Sequence, residues 1–90
     1  MDVFAAIAHP VRRDLLERLA AGELPVNRLA EPFRMSRPAI SQHLAVLLDV
    51  GLVSERKEGR ARLYRLNTIP LREVHEWLRQ LEPSRGYAAV

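Results

Sequence analysis

Residues 36–53 read Ser36-Arg37-Pro38-Ala39-Ile40-Ser41-Gln42-His43-Leu44-Ala45-Val46-Leu47-Leu48-Asp49-Val50-Gly51-Leu52-Val53, and this stretch decides the fold. Ser36 suits an N-cap, Pro38 is tolerated in a first helical turn, and Ile40, Leu44, Leu47 and Leu48 recur with helical spacing to make one apolar face. Gly51 supplies the helix stop, and Leu52-Val53 opens a strand. Arg37, Ser41, Gln42 and Ala45 lie away from the apolar seam. A strip of small and hydrogen-bonding side chains opposite a buried seam suits a helix whose free face enters a major groove. An ordinary amphipathic helix with a solvated polar face carries the same pattern, so the neighbouring sequence must decide between them.

Upstream, residues 24–31 form a short helical pattern with Pro25 at its start and Val26, Leu29 and Ala30 on one side. Pro32 limits it, because an interior proline loses a backbone hydrogen bond and clashes with the preceding turn. Residues 32–35 then join two apolar-faced helices, the short connection of a helix-turn-helix, with Phe33 and Met35 expected to anchor the turn. Residues 2–8 carry Val3, Phe4 and Ile7 in a helix that ends before His9-Pro10, since the residue preceding proline avoids the helical region. Residues 11–20 place Val11, Leu15, Leu16 and Leu19 on one face, and Gly22 is a sensible stop.

Downstream, residues 52–57 and 61–66 read as two strands joined at Glu58-Gly59-Arg60, with Gly59 free to take a positive-φ turn position. A last helix follows Asn67 or Thr68, with Leu71, Val74, Leu78 and Leu81 and neighbouring Trp77 in a wide apolar stripe that the small core does not obviously cover. Pro83 ends it, leaving residues 83–90 as a flexible tail. The expectation is one domain over residues 1–82, mainly α with a small β-hairpin, in the order α-α-α-α-β-β-α of a winged helix-turn-helix.

Ninety residues leave a modest core, which makes added stabilisation by dimerisation plausible. With 48% hydrophobic and 28% charged residues the composition is globular, and no apolar run approaches a membrane span. The absence of cysteine removes disulfides, thiolate metal sites and thiol redox chemistry, and with no signal-peptide pattern this fits a cytoplasmic protein. The chain's net charge of +3 is concentrated: residues 55–65 hold five cations and two carboxylates. His9, His43 and His75 fall in no catalytic motif, so neither an enzyme nor a cofactor is expected.

With these elements in order, the chain resembles the ArsR-type (ArsR/SmtB) winged-helix repressors of bacteria and archaea over nearly its whole length. The motifs that carry the resemblance are Ala8-His9-Pro10-Val11-Arg12-Arg13-Asp14-Leu15-Leu16, then Leu29-Ala30-Glu31-Pro32-Phe33-Arg34-Met35-Ser36 followed by Ala39-Ile40-Ser41-Gln42-His43-Leu44. Gly51-Leu52-Val53 and Glu58-Gly59-Arg60 also fit. The resemblance implies a homodimer that pairs through first and last helices and occupies operator DNA. The implied interface takes in Val3, Phe4, Ile7, Leu71, Val74, Trp77, Leu78 and Leu81, although intramolecular core is the other use for such side chains. Metal-sensing relatives carry a Cys-x-Cys pair just after a Glu-Leu step; here Glu23-Leu24 is followed by Pro25-Val26-Asn27, which offers no thiolate. His75 with Glu73, Glu76 and Glu82 lacks the second histidine of the other familiar metal site, so no metal is expected and His75 reads as a solvated helical residue.

For the partner, double-stranded DNA, affinity comes mainly from neutralised phosphates and specificity from base edges. Arg37 suits guanine N7 and O6, Gln42 suits adenine N6 and N7, Ser41 serves base or phosphate, and Pro38 can touch a thymine methyl. Arg60 and Arg62 near the hairpin tip are candidates for the minor groove or backbone, with Ser36, His43, Arg56 and Lys57 as further phosphate contacts. His43 sits at the edge of the buried stripe, where packing is an equally good use for it. The bland reading of the hairpin is a solvated basic loop. Two other uses of the scaffold are a winged-helix module that binds protein, and a sensor with a non-cysteine ligand between its helices.

Overall fold

In the computed structural model of the chain, which describes residues 1–82, three helices begin at side-chain caps. Asp2 Oδ1 accepts the Ala5 N–H at 2.8 Å, His9 Nδ1 that of Val11 at 3.1 Å and Ser36 Oγ that of Ala39 at 3.3 Å. These caps open α1 (Val3–Ala6), α2 (Pro10–Leu19) and, after α3 (Val26–Ala30), the long α4 (Arg37–Asp49). Each acceptor satisfies a donor that the first helical turn leaves without a partner. Pro10 and Pro38 occupy first turns, where a missing N–H costs nothing.

Strands β1 (Leu24–Pro25), β2 (Val53–Glu58) and β3 (Ala61–Leu66) form one antiparallel sheet in the order β1-β3-β2. The sheet is three-stranded, where the hydrophobic pattern predicts two strands. Leu24 pairs with Tyr64 and Pro25 with Leu63, which takes the first two residues of the expected third helix into the sheet and delays α3 to Val26. Proline is tolerated there because β1 is an edge strand. The hairpin turns at Gly59, whose φ of +62° favours glycine. A turn at residues 68–70 precedes the last helix, α5 (Leu71–Leu81), which starts later than expected.

The core gathers Leu15, Leu16 and Leu19 from α2, Leu29 from α3, Ile40, Leu44 and Leu47 from α4, and Leu52, Val53 and Tyr64 from the sheet. Phe33 and Met35 pack against it from the turn, as the sequence predicts. Val3 is 5% exposed and joins this core with Ala6, so it belongs to the protomer's interior and not to an interface. Helix α5 has no buried residue; it touches the rest of the chain through α1, where Phe4 meets Trp77 edge-on with ring centroids 5.6 Å apart. Among the described residues no helix is long and apolar enough to cross a membrane. The tail expected at residues 83–90 lies outside the described residues.

Candidate nucleic-acid interface

Burial of Ile40, Leu44 and Leu47 fixes the rotation of α4, and Arg37, Pro38, Ser41, Gln42 and Ala45 consequently face solvent. Leu48, the fourth member of the expected stripe, is half-buried. The exposed strip begins at the helix N-terminus, the positive end of the helix dipole, and no acidic residue in the first turn offsets it. Beside it an open cleft of about 570 Å³ is lined by Arg37 of α4, Arg60, Ala61 and Arg62 of the hairpin, and Pro25, Val26 and Asn27 of β1 and α3. Three arginines from two elements distant in sequence thus line one concavity.

The hairpin's charges are arranged by its register. Lys57 stands directly opposite Arg62, a like-charge pair that is unfavourable without an anion nearby. Arg62 is partly relieved by Glu55 at 3.4 Å. Arg56 has other partners: its Nε and Nη2 grip both carboxylate oxygens of Glu23 at 2.9 Å, and Glu58 lies 3.4 Å away. The Arg56 hydrogen bonds hold the Glu23 carboxyl below its ordinary value and raise the Arg56 guanidinium. Burial, and then the hydrogen bond to Glu55, push the Tyr64 hydroxyl up. The sheet therefore braces the root of the hairpin and leaves Lys57 and Arg60 without ion-pair partners among the described residues.

Of the other expected contacts, the Ser36 hydroxyl is committed to its cap. His43 is half-buried against α2, with Nδ1 3.2 Å from Arg12 Nη1, so it does not stand with Arg37 and Gln42 on the exposed strip. Arg12 and Arg13 of α2 donate to the Ala5, Ala6 and Ile7 carbonyls at the end of α1. Sequence reasoning does not reach the pairings of Glu23 with Arg56 or of Arg12 with His43. The partners lie 33 and 31 residues apart, beyond the reach of helical or strand spacing.

A helix-turn-helix domain model matches residues 7–56. The Bacillus subtilis transcriptional repressor SdpR is 36% identical over 77 residues, which cover 86% of each chain. A crystal structure described as a possible transcriptional regulator for arsenical resistance superposes with a TM-score of 0.82 at 45% identity, over 89% of this chain and 83% of that one. An ArsR family transcriptional regulator superposes with a TM-score of 0.80 at 38% identity, over 86% of this chain and 79% of the other. The chain belongs to the ArsR-type winged helix-turn-helix regulators. DNA-binding transcription regulation is accordingly its function. In the ArsR-type frame α4 is the recognition helix and the β2–β3 hairpin the wing.

Proposed function

We propose that the chain is an operator-binding homodimer that represses transcription in the cytoplasm. The observation that supports it best is the shared cleft of Arg37, Arg60 and Arg62 beside the exposed strip of α4. A major groove accepts the strip while the wing arginines reach the adjacent backbone or minor groove. Arg37 and Gln42 are the base readers, with Ser41 and Pro38 beside them. Lys57, Arg60 and Arg62 take phosphates, an anion near Lys57 and Arg62 relieving their mutual repulsion.

The second protomer covers the face that α5 leaves open. Trp77 and Leu78 are 47% and 48% exposed and Leu81 63%, a concentration of apolar surface unusual on a monomer. Phe4, Ile7, Leu71 and Val74 continue that face at half burial. A two-fold dimer requires a nearly palindromic site with half-sites roughly 34–36 Å apart or a multiple of that. Repression is the sense in which SdpR is named a transcriptional repressor. The test is selection from a random duplex library, with stoichiometry by sedimentation and a reporter placed behind the selected site. A palindrome bound two to one, with lowered reporter output, supports the reading. No enrichment at low salt by folded protein overturns it and favours a protein partner, and raised output makes the chain an activator.

A further inference from the structure

Arg12 stands where three helices meet. Its Nε donates to the Ala6 carbonyl at 2.6 Å, its Nη2 to the Ala5 carbonyl at 3.2 Å, and its Nη1 lies 3.2 Å from His43 Nδ1. One guanidinium thereby joins the end of α1, the first turn of α2 and the middle of the recognition helix. Because a guanidinium has only donors, His43 Nδ1 is the acceptor and the ring carries its proton on Nε2. The neighbouring ring is constrained in the same way. His9 Nδ1 accepts the Val11 N–H, and the two imidazoles lie with centroids 4.5 Å apart. Both contacts need neutral rings, since a proton on either Nδ1 turns an acceptor into a donor aimed at a donor.

The charged surroundings offer such a proton no compensation. The groups acting on His43 are His9 and Arg12, from α2 and its cap. Of the other elements packed on α4, α3 directs Arg28 to Glu31. Strand β2 directs Arg56 to Glu23 and Glu58, and its Glu55 to Arg62. On α4 itself Arg37 and Asp49 stand at the two ends. None of the described ion pairs brings a carboxylate to Arg12, His9 or His43. Burial first, then the charges of His9 and Arg12, lower His43 from the ordinary 6.5.

We propose that Arg12 is a positioning residue for DNA reading: it clamps the recognition helix to the α1–α2 corner through neutral His43, and protonation of His43 opens the clamp and weakens operator binding. The DNA half of this statement rests on the operator-binding reading; the clamp itself does not. Its sign is definite. A group whose native value is lowered contributes fully above its unfolded value, so the clamp is intact above pH 6.5 and is lost as the pH falls below it. A His43 that instead held a phosphate would tighten binding on acidification. The clamp also connects two working surfaces, because α1 carries Phe4 against Trp77 of α5.

The experiment has two arms. Imidazole ¹⁵N NMR on the free protein should find His43 as the Nε2–H tautomer, titrating below 6.5; an Nδ1–H tautomer overturns the clamp. Affinity for the selected duplex is then measured at pH 7.5 and 5.5 at fixed ionic strength, with circular dichroism verifying the fold at both. With the released ring at the ordinary 6.5, acidification from pH 7.5 to 5.5 should weaken binding by up to about tenfold, the limit reached when the clamped ring stays neutral at the lower pH. His43→Asn, which places a non-titrating acceptor near the former Nδ1, should flatten the ratio between the two pH values, and His75→Asn should retain the wild-type ratio. Arg12→Lys, which keeps the charge but not the three-way fork, should lose most of the pH dependence. Wild-type affinity that is constant or rises on acidification overturns the proposal, as does a wild-type ratio in His43→Asn. Protein that binds no duplex at either pH overturns the operator reading and the coupling to DNA together, while the tautomer still decides the clamp.

Discussion

Helices α4 and α5 are of similar length and both amphipathic, yet they finish their burial in different ways. Helix α4 sinks Ile40, Leu44 and Leu47 into its own chain and keeps a polar strip for solvent. Helix α5 has no fully buried residue: Leu71 and Val74 are half-buried, and Trp77, Leu78 and Leu81 are carried outward. The same hydrophobic periodicity thus has two uses, and what separates them is how much chain lies over each stripe. Helix α4 is packed by α2, α3 and β2, whereas α5 meets α1.

The strongest way to break this contrast is to truncate one residue in each stripe. Leu44→Ala should cost about 2–5 kcal/mol in urea unfolding, the usual cost of a core cavity. Leu81→Ala, measured at concentrations where the chain is monomeric, should change stability by no more than about 0.5 kcal/mol. Equal costs would mean that α5 is core. Trp77→Ala tests the same face in the proposed dimer, and sedimentation equilibrium should show dimerisation weakened by about 2 kcal/mol or more, as for a central aromatic anchor.

The polar side of the contrast divides by role. Arg37→Ala and Gln42→Ala should each remove about 1–3 kcal/mol of discrimination at one base position, seen as a relaxed motif in repeated selection. Arg60→Ala should weaken binding to all duplexes alike and reduce the log-log salt slope by roughly 0.9. Similar behaviour of the two classes would erase the distinction between reading helix and wing. The smallest effect is expected at the hairpin root, where Glu23→Gln leaves the Arg56 fork with one neutral acceptor. Glu23 is lowered from 4.5 by Arg56, so its contribution is present above that value and is lost as the pH falls below it. Hydrogen exchange of the β2–β3 amides should therefore speed up on acidification in the native chain and change less in the variant.

Much of this arrangement is legible residue by residue. Ser36, Pro38 and Gly51 bracket α4 by local chemistry alone, and the leucine spacing sets its rotation, which is why Arg37 and Gln42 are found on the exposed side. Gly59 marks the hairpin for the same kind of reason. Leu24-Pro25 is the counterexample: a proline before an apolar run suits the first turn of a helix equally well, and only Tyr64 and Leu63, some forty residues on, draw the pair into a strand. Glu23 with Arg56 and Arg12 with His43 are illegible on similar grounds, since nothing local distinguishes a paired arginine from a free one. Val3 reads as interface because its helix is short and apolar on more than one side, and packing alone assigns Val3 inward and Phe4 toward Trp77.

For the proposed dimer, Asn67 has a bearing on which operators it can use. Its side-chain amide donates to the Gly51 carbonyl at 2.8 Å, and its backbone N–H to that of Leu52 at 2.8 Å, directly behind the last turn of α4 and just ahead of α5. These two bonds pin the start of the β3–α5 connection to the end of α4 within one chain. In the proposed dimer, two chains pinned in this way would measure DNA like a caliper with a stiffened jaw. An operator lengthened by one base pair at its centre displaces a half-site by about 3.4 Å and turns it by about 35° around the duplex, and a jaw stiffened at Asn67 is expected to bind it more weakly.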